Sequence, residues 1–167
     1  MQRIQDENSV TPDTVNLGPP HAPKEESIKA FTEIEPELKK ELLHLKHTYL
    51  TEHEPEYFAP VQHLPDTALT SFSAHSGDLT TVRVAQSAYG IHLLGKIRIP
   101  DADKPDSDQP VPAYLHVRVF VAEDKEKGEK IAKLHSIHTE ARDEPDGNGK
   151  RYRAIFTKDD PLEWFDT

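Results

Sequence analysis

The chain has 167 residues, and its 30 acidic against 20 basic side chains give a formal net charge of −10, which disfavours general binding of nucleic acid or of a membrane surface. It contains no cysteine, which excludes disulfides, thiolate metal ligands and a cysteine nucleophile. Hydrophobic residues make up 35%, below the roughly 45–50% of an ordinary domain, a figure that also counts glycine, so we expect one folded domain with some chain outside its core.

Residues 1–24 are predicted to form a flexible tail. They contain four prolines and few large apolar side chains, so burying them cannot offset the entropy of ordering. Two alternatives follow for this tail: it is mobile in solution, or it becomes ordered on binding a partner or a second copy of the chain. The first ten residues lack the basic and then apolar order of a secretory signal, and no apolar run approaches the roughly 18–20 residues of a membrane span. We therefore expect a cytoplasmic protein without membrane contact.

Two helical stretches are predicted over residues 25–53. The first begins at an acidic pair and carries apolar residues at a spacing of three, namely Ile28, Phe31 and Ile34. Pro36 fits the first turn of a second helix, because a helix start leaves the N–H that proline lacks unpaired. The apolar stripe of this second helix is Leu38, Leu42, Leu45 and Tyr49. Residues 54–66 then form a predicted linker whose docking groups are Tyr57, Phe58 and Leu64.

From residue 67 to residue 167 the apolar period changes from 3.6 to 2, which is typical of half-buried antiparallel strands. The predicted strands are 81–84, 91–99, 114–121, 130–142 and 150–158. Glycine and asparagine between the last two favour a hairpin there. We expect an α+β fold, with N-terminal helices packed on one face of a curved, cone- or barrel-like antiparallel meander of four to five strands. The C-terminal residues 161–165 should cap this sheet.

Histidine is the anomaly of the composition, with 10 residues in 167, and several lie in predicted strands. Strand residues of one parity share a face, so one face should be polar and lie opposite the apolar row that starts at Leu115. Its members are His92, Lys96, Arg98, Tyr114, His116, Arg118 and His138. Loop centres predict two cross-strand alignments: Lys96 with His116 and Ser136, and Arg98 with Tyr114 and His138.

This polar face has two interpretations. On the outside of a one-sided sheet its side chains simply meet water. Inside a concave pocket, His116, His138 and Tyr114 are the candidate catalytic residues, because a neutral histidine can act as a general base and a tyrosine can stabilise an oxyanion. The candidate ligand-binding residues are then His92, Lys96, Arg98 and Arg118. The sequence thus predicts a small-ligand-binding domain for an apolar or carbonyl-bearing molecule, or a cofactor-independent isomerase or lyase.

Other motifs are weak, and we predict neither a metal site nor a cofactor. His44 and His47 lie off the apolar stripe of their helix, and His135 and His138 should point to opposite faces of their strand. The aspartate-rich loops lack the order of an EF-hand, and no glycine-rich phosphate loop is present. The basic residues 150–153 suit RNA stacking less well than pairing across a hairpin.

A non-enzymatic interaction protein that associates with itself or with other proteins is the alternative function. It is based on the tail and on four aromatic side chains expected at the surface. These are Tyr57, Phe58, Trp164 and Phe165. In this case the partner would be a second copy of the chain or another protein.

Overall fold

The computed structural model of the chain describes residues 16–52, 55–103, 112–124, 126–143, 147 and 149–166. One long helix packs on a five-stranded antiparallel sheet with the strand order β1-β2-β3-β4-β5, and the sheet does not close into a barrel. The elements are β1 (Asn16–Leu17), α1 (Glu25–Thr51), β2 (Leu79–Ser87), β3 (Gly90–Arg98), β4 (Tyr114–Asp124) and β5 (Glu129–Ile137). The predicted α+β class, with a helical N-terminal part on one face of an antiparallel meander, is confirmed.

Helix α1 runs without interruption through Pro36, so the break predicted there does not occur. Its buried residues recur every three or four positions and form one stripe: Ser27, Ala30, Phe31, Ile34, Leu38 and Leu42. Packing of this stripe on the sheet offsets the roughly 3 kcal/mol that a proline costs inside a helix. The helix is therefore held by tertiary contacts across the proline.

Close contact between helix and sheet depends on Gly95 of β3. A methyl group built on Gly95 would overlap the ring of Phe31, so only glycine lets this ring pack directly on the strand. Around it, the α1 face of the sheet carries the predicted apolar row, with Leu115, Val117 and Val119 all buried in the main core.

The strand register confirms part of the predicted alignment. Lys96 lies opposite His116, and Arg98 lies opposite Tyr114. Ser136 of β5 pairs with Arg118 instead of His116, and the pairing shifts by one residue between Arg118 and Val119. The N–H of His138 donates to the carbonyl oxygen of His116 at 2.8 Å. His138 therefore lies beside His116, and its predicted alignment with Tyr114 is wrong.

Part of the predicted tail and most of the predicted linker carry regular structure. Residues 16 and 17 pair with β2 as β1, and His21 makes a single bridge to Val82; residues 1–15 lie outside the described part. Within the linker, Pro55–Val61 form a 3-10 helix, and α2 (Asp66–Leu69) follows. The three predicted docking groups of the linker are buried: Tyr57, Phe58 and Leu64.

The last two predicted strands belong to different sheets. β5 ends at Ile137, and a separate two-stranded sheet is formed by β6 (Glu140–Asp143) and β7 (Lys150–Arg153). After β7 the chain continues without a named strand through residues 154–166, which we call the C-terminal segment. The segment bridges to the start of β4, where Tyr114 and Phe156 exchange two backbone hydrogen bonds of 2.9 and 2.8 Å.

Candidate functional site

The polar face predicted from the sequence is covered by the C-terminal segment. Leu162 and Phe165 of the segment are buried with Leu94 of β3 in a small apolar cluster. Beneath and around this cluster, five of the seven predicted polar-face residues are buried: His92, Lys96, Tyr114, His116 and Arg118. The face is therefore neither a solvated surface nor an open pocket, because the chain itself occupies the space above it.

Lys96 anchors the middle of the C-terminal segment. Its ammonium group donates to the carbonyl oxygens of Lys158 and Asp160 at 2.8 and 2.7 Å. The same group lies 5.0 Å from the ring centre of Tyr114. Burial lowers the pKa of Lys96, and the nearby carboxylates of Asp160 and Asp159 oppose that shift. Two of the three donors of Lys96 are thus engaged within the chain.

Arg118 anchors the end of the segment. Its Nη1 donates to the carbonyl oxygen of Phe165 at 3.0 Å and to Asp166 Oδ1 at 3.3 Å, and its Nη2 lies 3.3 Å from His92 Nδ1. The guanidinium also stacks on Trp164, with 4.1 Å between Cζ and the ring centre. Arg118 and His92 therefore bind the chain's own C-terminal segment.

The two predicted catalytic histidines lie in an aromatic stack. The ring of His116 lies 4.0 Å from that of Phe156, and the ring of His138 lies 4.3 Å from that of Phe165. Burial, with a smaller effect of the charge on Lys96, lowers the pKa of His116 to about 3. His116 is therefore neutral at pH 7, as a general base must be, but protein rings enclose it instead of a substrate cavity.

Arg98, the remaining predicted ligand-binding residue, lies apart from this stack. Its Nη2 donates to Asp103 Oδ1 at 2.9 Å, and its Nη1 lies 3.7 Å from Asp78 Oδ1. In the small sheet, Arg153 lies opposite Glu140, and their side chains are 3.5 Å apart, which is the hairpin pairing expected for the basic residues 150–153. Both arginines are thus paired with carboxylates.

A cavity on the opposite, α1 face of the sheet was not predicted. It measures about 370 Å³ and lies between the first turns of α1 and one end of strands β2 to β5. At this end of α1 the buried stripe consists of the small residues Ser27 and Ala30, and the bulky Phe31 and Ile34 come only after them. The helix therefore does not fill the space beneath its first turns. Its apolar lining is Ala30, Val84, Ile91, Leu93, Val121 and Ala132. Small residues at one end of an otherwise bulky stripe are the sequence signal for this cavity.

Polar side chains surround the mouth of the cavity. They are His21, Lys24, Glu26, Ser27, Lys29, Glu33 and Lys130. Ser27 is only 5% exposed, and within the described ranges no hydrogen bond involves its hydroxyl. A mainly apolar space of a few hundred Å³ with a small number of polar groups at one end is typical of a small-molecule site.

Other kinds of site find no support in the described residues. Among them, no group of three or more histidine, aspartate or glutamate side chains is placed to hold a metal ion, and His47 instead contacts Asp66 at 3.0 Å. None of the helices in the described ranges is long and apolar enough to cross a membrane. Comparisons of the chain with protein-family models, with curated proteins and with solved structures found no match.

Proposed function

We propose that this protein binds a small, largely apolar molecule in the cavity between α1 and the sheet. The observation that carries this proposal is the unfilled space of about 370 Å³ with its apolar walls. Its wall residues Val84, Ile91, Val121 and Ala132 are only partly buried, so the cavity is open to water and part of their apolar surface lacks protein contacts. A ligand that fills the space restores those contacts and removes its own apolar surface from water.

The cavity volume limits the size of the ligand. If each non-hydrogen atom takes roughly the 30 Å³ of a water molecule, the cavity of about 370 Å³ holds roughly a dozen such atoms. An eight-carbon chain with one polar head fits this limit. With about 0.8 kcal/mol for each buried methylene, and the cost of association set against it, we expect a Kd in the roughly micromolar to millimolar range.

Binding suits the geometry better than catalysis. The walls of the cavity are aliphatic, and its ionisable side chains lie at the mouth, next to solvent. The histidines considered for catalysis, His116 and His138, lie on the other face of the sheet and stack on the C-terminal segment. The alternative, an interaction protein, is less well supported, because three of its four expected surface aromatics, Tyr57, Phe58 and Phe165, are buried.

Titration with 1-octanol tests the proposal, with binding monitored through the backbone amide NMR signals of isotope-labelled protein. We expect saturable shifts at the amides of the cavity wall, including Leu93 and Val121. Ala132→Trp fills the cavity and should weaken binding at least tenfold. The matched control is Lys133→Trp, which adds the same group at the next, exposed position, on the other side of β5. Absence of saturable binding, or equal binding by a folded Ala132→Trp protein, would contradict the proposal.

A further inference from the structure

We infer that the ligand of this cavity is an amphiphilic carboxylate, whose head group lies at the N-terminus of α1 and whose apolar chain lies along β3 and β4. This inference rests on the proposed function and adds the chemical class of the ligand. Three features at the mouth of the cavity support it: the start of the helix, the hydroxyl of the buried residue Ser27, which lines the cavity, and the lysines without a carboxylate partner.

The start of α1 offers backbone donors. Its N-cap residue, Lys24, is extended at φ −98° and ψ 167° and gives no side-chain cap. The first bond of the helix runs from the N–H of Ile28 to the carbonyl oxygen of Lys24 at 3.0 Å. The N–H groups of residues 25–27 precede this bond, and a helix leaves such groups without internal partners. Together with the helix dipole, which the acidic side chains of Glu25 and Glu26 in the first turn partly offset, they favour an anion at this end.

Ser27 supplies the independent observation. It occupies the third position of α1, lines the cavity and is 95% buried, yet no residue in the described part of the chain bonds its hydroxyl. The hydroxyl oxygen itself is accessible from the cavity, so an acceptor atom of a ligand can replace the water that it otherwise binds. Since the hydroxyl lies at the same end of the helix as the free N–H groups, one carboxylate can accept from both.

The charges at the mouth favour the same head group. Lys24, Lys29 and Lys130 line the mouth, and within the described ranges none of them has a carboxylate within 4.0 Å. Two carboxylates, on Glu26 and Glu33, are also present, so the mouth has a small excess of positive charge in a chain of net charge −10. An anionic head group can pair with these ammonium groups, whereas a cationic head group would be repelled.

Three probes with the same eight-carbon chain separate the head groups: octanoate, 1-octanol and octylammonium. Calorimetric titration at pH 7.5 should show octanoate binding at least tenfold more tightly than 1-octanol, and octylammonium binding most weakly. Ala132→Trp should abolish octanoate binding if the chain lies in the cavity. Binding of 1-octanol or octylammonium as tight as that of octanoate overturns the carboxylate inference and leaves the proposed function intact. If none of the three probes binds saturably, both fail.

Two variants test the contacts of the head group. Ser27→Ala and Lys29→Gln should each weaken octanoate binding three- to tenfold and leave 1-octanol binding unchanged. The control is Lys39→Gln, which removes a lysine of the same helix that lies away from the cavity and pairs with Glu35 at 3.9 Å. Ser27→Ala should fold normally, because alanine favours a helix and no hydrogen bond within the described part of the chain is lost with the hydroxyl. Unchanged octanoate binding in both variants would overturn the inference.

Discussion

Arg118 Nη1 lies 3.0 Å from the carbonyl oxygen of Phe165, and this hydrogen bond joins the middle of the sheet to the C-terminal segment. Arg118 is 0% exposed, so partners within the protein must compensate for the loss of water around its charge. Lys96 holds the same segment through Asp160 and Lys158. The cations of the sheet therefore contribute to the fold, and the proposed ligand site lies on the opposite, α1 face.

Arg118→Lys should lower the free energy of unfolding by about 2–3 kcal/mol. Lysine lacks the planar fork that reaches Phe165 and stacks on Trp164 at the same time. Urea denaturation followed by the fluorescence of Trp164, the single tryptophan, measures the change. Arg98→Lys is the control, because the Arg98 side chain is 39% exposed and its replacement should change stability by less than about 0.5 kcal/mol. Equal stability of the two variants would contradict this role of Arg118.

Lys96→Met should destabilise the protein by about 2 kcal/mol and loosen the C-terminal segment. Methionine has a similar length but no donor, so the carbonyl oxygens of Lys158 and Asp160 lose their shared partner. Trypsin should then cleave after Lys158 faster than in the unmodified chain. Lys133→Met, at an exposed position of β5, should leave that rate unchanged. Cleavage at the same rate in all three proteins would show that Lys96 does not hold the segment.

His116→Leu should reduce the loss of stability in acid. The pKa of His116 is about 3 in the folded chain against about 6.5 when unfolded, so between these values only the unfolded chain takes up the proton. The stability due to neutral His116 is complete above pH 6.5 and is lost as pH falls towards 3, at up to about 1.4 kcal/mol per pH unit. Leucine does not titrate, so the free energy of unfolding of the His116→Leu protein, measured with urea, should fall less steeply from pH 7 to pH 4 than that of the unmodified chain.

Val117→Ala is the control for this pH experiment. Val117 is as deeply buried as His116 but carries no titratable group, so its truncation should lower stability by a similar amount at every pH. The slope against pH should stay that of the unmodified chain. If His116→Leu and the unmodified chain show the same slope, His116 does not become protonated on unfolding as described.

Gly95→Ala should cost about 2–3 kcal/mol, because the added methyl group meets the ring of Phe31. Phe31→Leu removes that ring. The loss of stability in the double variant Gly95→Ala/Phe31→Leu should therefore be smaller than the sum of the losses in the two single variants. Thermal unfolding of the four proteins gives the coupling directly. Additive costs would show that the helix does not contact the sheet closely at this point.

The apolar face of the sheet could be predicted because apolar and polar residues alternate along each strand, and this pattern can be read from one sequence. Leu115, Val117 and Val119 face α1 as expected, and the polar residues between them face the other way. The covering of that polar face could not be predicted. The C-terminal segment has no periodic pattern, and sequence alone does not distinguish a lysine in water from Lys96 bonded to two carbonyl oxygens.

The strand register and the cavity also could not be predicted fully from the sequence. Loop length places Lys96 opposite His116. The pairing of β4 with β5, however, differs by one residue from the predicted alignment at the hairpin and by a second at the irregularity between Arg118 and Val119, so His138 lies beside His116. The apolar stripe of α1 was visible on both sides of Pro36, yet helix propensity alone favours a break there. The small residues Ser27 and Ala30 mark one end of the apolar stripe, but whether the helix approaches the strands there and closes the space is a property of the packed structure.

A crystal structure of the protein grown with 1-octanol tests the cavity most directly. We expect the octyl chain between Ala30 of α1 and the side chains of Leu93 and Val121, with its hydroxyl towards Ser27. If wall side chains such as Ile91 close the space, or if the alcohol lies only elsewhere on the protein, the cavity is not a binding site.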